Sequence, residues 1–265
     1  MGARQSILVF ATLLGLPPIA RAQLDYRNLD DDRPTLIEDA YPLERYAFEI
    51  LAPWRYSRAR GAGGVHAFTP ELEYGLFGNF HLGLKVPIAR AATANGHDWG
   101  MAGLRIFGLY NFNTEGPWLP ALALRADAVF PVGSLAGEGV RFTAKAIATR
   151  SWGQTRIHLN GAYTFGSDRP LAAADPAHKW WLGGAVDRTL FRQSALLMVE
   201  LYAQRPAASE PVELNASLGV RYQWTPMMVF DFGVARRLRS TGPNYEVTLG
   251  VSRAFALAGL LPSRP

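Results

Sequence analysis

From Glu44 onward, apolar and polar residues alternate along the chain in segment after segment. Val212 to Trp224 is the clearest: Val212, Leu214, Ala216, Leu218, Val220, Tyr222 and Trp224 share one parity, and Glu213, Asn215, Ser217, Gly219, Arg221 and Gln223 the other. A period of two puts these sets on opposite faces of a β-strand, whereas on a helix the apolar positions would spread around the axis. Soluble sandwich strands alternate too, but they seldom carry charges on the polar face of nearly every strand, and strands of about 10 residues are what a tilted bilayer span requires. Such segments are predicted at 45–56, 65–77, 80–89, 101–112, 118–131, 140–151, 155–166, 179–189, 194–205, 212–224, 227–238 and 245–255. The fold expected is all-β: a transmembrane antiparallel up-and-down β-barrel of about 12 strands, an even number being the bacterial rule.

The connections predicted between these segments alternate in length. Short ones fall at Gly78-Asn79, Thr114 to Pro117, Trp152 to Gln154, Leu190 to Gln193 and Thr225-Pro226, and longer ones at Ser57 to Gly64, Ala91 to Gly100, Val132 to Gly139, Ser167 to His178, Pro206 to Pro211 and Arg239 to Asn244. Outer-membrane barrels use short periplasmic turns and longer outer loops, so this parity predicts both termini on the periplasmic side. Phe77, Phe80, Phe112, Trp118, Trp152, Phe191 and Trp224 lie beside the short turns, as a girdle of interfacial aromatics would. In the last strand the spacing of Thr248, Gly250 and Phe255 resembles the C-terminal β-signal by which bacterial barrel-assembly machinery recognises its clients; Arg253 and the tail from Ala256 to Pro265 depart from that pattern.

The other end of the chain reads as an export signal. Arg4 precedes an apolar run from Ile7 to Leu16, then Pro17, Pro18 and Ala20-Arg21-Ala22, the pattern of a secretory signal peptide over residues 1–22 with Gln23 first in the mature chain. Between it and the barrel, expected at 44–255, lies the acidic segment 23–43 with Asp30-Asp31-Asp32 and Glu38-Asp39. It is too short for a domain. It is either a periplasmic tail or a segment tucked into the lumen, with Asp30 to Asp39 expected to approach cations on the wall from the periplasmic side. Adjacent carboxylates do not follow the alternate-residue spacing of a calcium loop, so no metal is expected there.

Removal of Arg4 and Arg21 lowers the formal charge from +5 to +3, a modest excess that does not indicate a nucleic-acid partner. There is no cysteine, hence no disulfide framework or thiolate site. Catalytic chemistry also finds little support. His81 and His158 fall on inward faces, His97 and Asp98 in an outer loop, and His66 and His178 near strand ends, none with a local nucleophile and orienting carboxylate. Gly61, Gly63 and Gly64 lack the strand-to-helix setting of a phosphate cradle. No catalytic, cofactor or metal residue is expected.

The inward positions are rich in charge. The third to seventh strands carry Lys85, Arg105, Arg125, Arg141, Lys145 and Arg156, with Asp127 as the exception. The other strands carry Glu49, Glu71, Glu73, Asp187, Glu200, Glu213, Asp231 and Glu246, interrupted by Arg221 and Arg237. Sequence order becomes order around the wall, so a cationic arc is expected opposite an acidic one. The charges then either set up a transverse field across an open lumen or pair and fill it.

Several stretches carry a family resemblance: Glu38 to Glu44, Pro70 to Leu76, Leu122 to Asp127 with Phe130-Pro131-Val132-Gly133, and Leu214 to Tyr222. They resemble the MetA-pathway phenol-degradation family of outer-membrane barrels across most of the mature chain. The resemblance implies a channel or transporter for small solutes, including small aromatic or hydrophobic compounds, with no enzymatic activity. The alternatives are a closed structural or interaction barrel and, third, a lipid- or peptide-modifying enzyme. The partners expected are outer-membrane lipid, the assembly machinery and a small-molecule solute.

Overall fold

The computed structural model describes residues 19–20, 25–58, 64–93, 96–166, 179–191, 194–207, 210–239, 243–257 and 260–261. Its alternating segments form one closed sheet of twelve antiparallel staves. The first four are each built from two pieces: β1 from Ala47–Leu51 and Trp54–Arg58, β2 from Gly64–Phe68 and Glu71–Phe77, β3 from Phe80–Lys85 and Ile88–Thr93, β4 from Gly96–Met101 and Leu104–Asn111. The other eight are continuous: β5 (Ala121–Phe130), β6 (Arg141–Trp152), β7 (Thr155–Phe165), β8 (Trp180–Leu190), β9 (Ala195–Arg205), β10 (Glu213–Thr225), β11 (Met228–Arg239) and β12 (Tyr245–Leu257). Each stave pairs with the next, and β12 pairs with β1, setting Tyr245 opposite Arg58 and Phe255 opposite Phe48. Closure leaves no open edge, the condition for a sheet to stand in hydrocarbon.

The breaks in β1 to β4 form a crease across a third of the wall. Pro53, Pro70 and Pro87 interrupt the first three staves, and Gly103, at φ +133°, interrupts the fourth. Proline donates no ladder hydrogen bond, so the pairing must step past it. The step is bridged backbone to backbone along one seam: Ala52 N–H donates to Val251 O, Thr69 N–H to Pro53 O, Val86 N–H to Pro70 O and Ala102 N–H to Pro87 O, at 2.8–3.1 Å. Beyond Gly103 the inward parity of β4 changes, with Ala102 buried above it and Arg105 below.

Two connections differ from the lengths read in the sequence. Residues 91–100 are not a long loop, because Ala91 to Thr93 pair with Gly96 to Asp98. Conversely, the supposedly short link at 114–117 spans 112–120, because β5 starts only at Ala121; the Arg150 guanidinium gathers it by donating to the carbonyls of Gly116, Pro117 and Leu119. One rim therefore carries the turns at 78–79, 153–154 and 226–227, and the opposite rim carries most of the long connections. Of the signal-peptide reading only Ile19–Ala20 are described, paired with Leu257 and Ala256; the rest of it, His178 and the glycines at 61 and 63 lie outside the described residues, as do the side chains of His97 and Asp98, whose backbone belongs to β4. The last stave runs two residues past Phe255, to Leu257.

Outward side chains are apolar and exposed, among them Leu124, Leu159, Leu182, Val199, Leu201 and Leu218. Phe77, Phe112, Trp118, Trp152, Phe191 and Trp224 ring the short-turn rim, Trp118 at 96% exposure. The protein's main apolar core lies inside the barrel instead, where Tyr26, Leu29, Ile37 and Leu43 pack on Leu196, Met198, Tyr202, Trp181 and Val229.

Candidate functional site

Those four apolar residues belong to the segment that precedes β1, which runs into the lumen from the short-turn rim and returns to it. Near that rim Tyr26 Oη contacts Thr189 Oγ1 at 3.3 Å. Deeper, the tip at Asp31-Asp32 reaches Lys85, Arg105 and Arg55. On the way back Ala40 N–H donates to Thr149 Oγ1, Leu43 N–H to His81 Nδ1 and Tyr46 N–H to Gly75 O. The neck is pinched by two bonds between Leu29 and Asp39: Asp39 N–H to Leu29 O at 3.1 Å and Leu29 N–H to Asp39 Oδ2 at 3.3 Å. Asp32 turns the tip at φ +78°, a left-handed conformation that aspartate tolerates better than most residues.

The wall is carved to admit this backbone. A Cβ added at Gly75 would lie 1.9 Å from Glu44 O, one at Gly233 2.0 Å from Pro34 O, and one at Gly219 2.6 Å from Pro34 Cγ. Three inward glycines on β2, β10 and β11 thus mark where loop backbone or proline ring touches the wall.

Charge pairing fixes the loop on both flanks. Toward β3 to β7, Asp31 lies 2.5 Å from Lys145 and within 4 Å of Lys85, Arg105 and Arg125. Glu38 bridges Arg125 at 2.8 Å and Lys145 at 3.1 Å, and Asp39 pairs with Arg156 at 2.9 Å. Toward β11, β12 and β1 the loop presents one cation: fully buried Arg33, which reaches Asp231 at 3.1 Å, Asp30 at 2.6 Å, Glu49 at 3.8 Å and the Ser252 hydroxyl at 2.8 Å. Carboxylate oxygens of Asp30, Glu49 and Glu73 come within 4.8 Å of one another, as in a cation site, with Arg33 supplying positive charge beside them.

All seventeen charged positions named from the sequence as inward-facing do face inward. Fifteen are buried, and Arg237 and Glu246, nearer the long-loop rim, are partly so. The arcs do not face each other across water, because the loop stands between them. Neighbouring staves add pairs of their own, Lys85 with Glu71, Arg156 with Asp187 and Arg221 with Asp231, and within β5 Arg125 pairs with Asp127. Of the terminal-strand trio, Thr248 is buried toward the lumen and Phe255 faces out, stacked on Phe48 at 5.3 Å.

The fold also assembles a line that no local motif announced. Thr149 Oγ1 lies 3.0 Å from His158 Nδ1, and His158 Nε2 lies 2.9 Å from Asp187 Oδ2, across β6, β7 and β8. Hydroxyl, imidazole and carboxylate in this order resemble a hydrolytic triad. Here, however, Thr149 is fully buried and its oxygen accepts the Ala40 N–H, while Arg156 holds Asp187 in an ion pair. The line is a hydrogen-bonded mount for the loop's return strand. Only tertiary pairing could reveal it, since 9 and 29 residues separate its members.

The loop's carboxylates are held in opposite ways. Burial works to raise Asp31, but Lys145, Lys85, Arg125 and Arg105 together hold it well below the ordinary carboxylate range. For Asp39 burial prevails over Arg156 and His158, and its carboxyl is pushed up to about 6. Beside the tip lies a cavity of about 60 Å³ whose walls include Arg105, Arg125, Lys145, Leu36 and Trp181.

A closed twelve-stave barrel, apolar outside and charged within, has the fold of an outer-membrane β-barrel. The family model described as "Putative MetA-pathway of phenol degradation" matches residues 44–255, and the chain belongs to that family. Nothing among the curated proteins matches the chain. Among solved structures it is similar to the COG4313 outer membrane channel from Pseudomonas putida F1, with a TM-score of 0.62 and 14% identity over 82% of this chain and 98% of that one. It is also similar to the KdgM porin in complex with disordered oligogalacturonate, with a TM-score of 0.56 and 13% identity over 77% and 98% of the two chains. For the NanC porin the values are 0.52 and 8%, over 78% and 98%.

Proposed function

We propose that the protein is an outer-membrane channel for small solutes, small aromatic compounds among them, closed by its N-terminal loop. The observation that carries this reading is the nature of the closure. The loop is held by ion pairs and hydrogen bonds rather than by wall side chains meeting across the axis, so the lumen is wide enough to conduct once the loop leaves. Family membership and the likeness to channels and porins support it. In this reading the short-turn rim and both termini are periplasmic, residues 1–22 are removed on export, and Thr248, Gly250 and Phe255 guide assembly.

Planar-bilayer recording tests the proposal. The full mature chain should show brief unitary openings, and a variant lacking 25–42 should show larger, longer ones. The amount of buried pairing favours a second reading, a permanently closed barrel. Silence of an assembled, heat-modifiable loop-deleted barrel would establish that reading and end the channel proposal. Cysteine labelling at Gly153 in intact cells tests the orientation, since an accessible short turn would reverse it.

A further inference from the structure

We infer that the cavity beside the loop tip is a binding site for a small aromatic monocarboxylate, and that Asp31 is the built-in stand-in for the ligand's carboxylate. The inference deepens the channel reading and rests on it, because the solute must be able to reach the lumen.

Three observations converge on this ligand class. The first is charge. Lys85, Arg105, Arg125 and Lys145 pair with carboxylates of both wall and loop, among them Glu71, Glu38, Asp127 and Asp31. Glu71 and Asp127 belong to the wall, and Glu38 lies on the loop's return limb. Asp31 stands at the loop tip, and it touches all four cations. Taking it away removes one negative charge from the cluster, which a monoanion replaces and a dianion such as phosphate exceeds.

The second observation is shape and polarity. About 60 Å³ of space adjoins this carboxylate, roughly four to six times what one water needs. Leu36, Ala162 and Trp181 give it an apolar side, while Thr143 and Thr164 give it hydroxyls. The cations are already held against aromatic faces, Arg125 3.6 Å from the centroid of the Phe107 ring and Lys145 5.4 Å from that of Trp181. A flat ring carrying one carboxylate matches a cation cluster beside an aromatic wall.

The third is an unmet donor. Trp181 is 6% exposed, and its indole Nε1–H has no acceptor. A buried indole N–H usually finds a partner, and an oxygen on a ligand in this cavity would supply it.

Binding then means exchange. The ligand carboxylate takes the place of Asp31 on Lys145 and Arg125, and the tip is freed. Titration calorimetry on the intact barrel in detergent, with benzoate, phenol and acetate at neutral pH and low salt, tests this. Benzoate should bind more tightly than either the neutral ring or the ringless acid. Asp31→Asn removes the internal competitor, so benzoate affinity should rise about tenfold. Trp181→Phe keeps the ring but loses the donor and should weaken benzoate about threefold. Equal affinities for phenol and benzoate, or benzoate bound no more tightly by an assembled Asp31→Asn barrel, would overturn the inference. If that variant does not assemble, the wild-type ranking of the three probes and Trp181→Phe decide it. Bilayer recording separates the two ideas: a conducting barrel that ignores benzoate defeats this inference alone, and a loop-deleted barrel that never conducts defeats the channel reading.

Discussion

The two flanks of the N-terminal loop are held by opposite arrangements of charge. Toward β3 to β7, four wall cations share carboxylates from both loop and wall, so each cation keeps a partner when one carboxylate goes. Toward β11, β12 and β1, Arg33 serves Asp30, Glu49 and Asp231 together, while Arg221 also reaches Asp30 and Asp231 and Arg55 holds Asp32. The first flank is redundant throughout, whereas on the second Glu49 depends on Arg33. Because stranding a buried charge costs far more than a pair contributes, the loop is most vulnerable at that dependence.

The sharpest way to break this comparison is at Arg33. Arg33→Met should destabilise the docked loop by about 3–5 kcal/mol, the cost of breaking a buried ion pair and leaving Glu49 without its cation. Prolonged open time in bilayers, with the heat-modifiable barrel intact, is the expected result. Glu38→Gln on the redundant flank keeps the size and one acceptor, and should cost less, about 1.5–3 kcal/mol. Equal effects of the two changes on open probability would erase the asymmetry.

Acidity probes the same contrast. Asp31 faces Lys85, Arg105, Arg125 and Lys145, with Asp32 beside it. Its carboxyl is depressed when docked, so its contribution is complete above the unfolded value near 3.8 and is lost as pH falls below that. Asp39 faces Arg156, His158 and Asp30; its docked carboxyl is raised to about 6, so its contribution is present below about 3.8 and is lost as pH climbs to 6. Open probability should therefore rise steeply under acid below about pH 4 and change in the opposite, shallower sense between about 4 and 6. Asp39→Asn should flatten only the upper limb. The smallest effect is expected at the neck: Tyr26→Phe removes a 3.3 Å hydrogen bond and should cost about 0.5–1 kcal/mol, measurable as faster proteolysis of the loop.

The outer wall was legible in the sequence because lipid enforces it. Leu214, Leu218 and Val220 can face only hydrocarbon, so period two survives in all twelve staves. The charged inward positions followed from the same parity. The crease did not, although Pro53, Pro70 and Pro87 stood in plain view, because a break of two residues looks like continuity when the parity on either side agrees. Residues 91–100 looked like a loop because Ala91-Ala92 and Asn95-Gly96 lack a strong apolar partner set, yet the backbone of Ala91 to Thr93 pairs with that of Gly96 to Asp98.

The loop was half legible. Its acidity and its attraction to the cationic wall could be read, whereas the decisive role of Arg33 depends on Asp30, Glu49 and Asp231 meeting in space. One signal was overlooked. Gly75, Gly219 and Gly233 sit at inward positions where a strand would ordinarily carry a side chain, and an inward glycine often marks a close approach of other backbone.

The loop also runs directly into the first stave at Ala47, and the bond from Tyr46 N–H to Gly75 O pins that junction to the second. A released tip therefore does not diffuse away, and the barrel holds it at an effective concentration on the order of millimolar, as short flexible tethers do. That figure becomes a threshold. A competitor present well below it finds its place retaken before the next arrives, so the passage opens to abundance and ignores traces. It also reseals without help, since the stopper and the bottle are one chain.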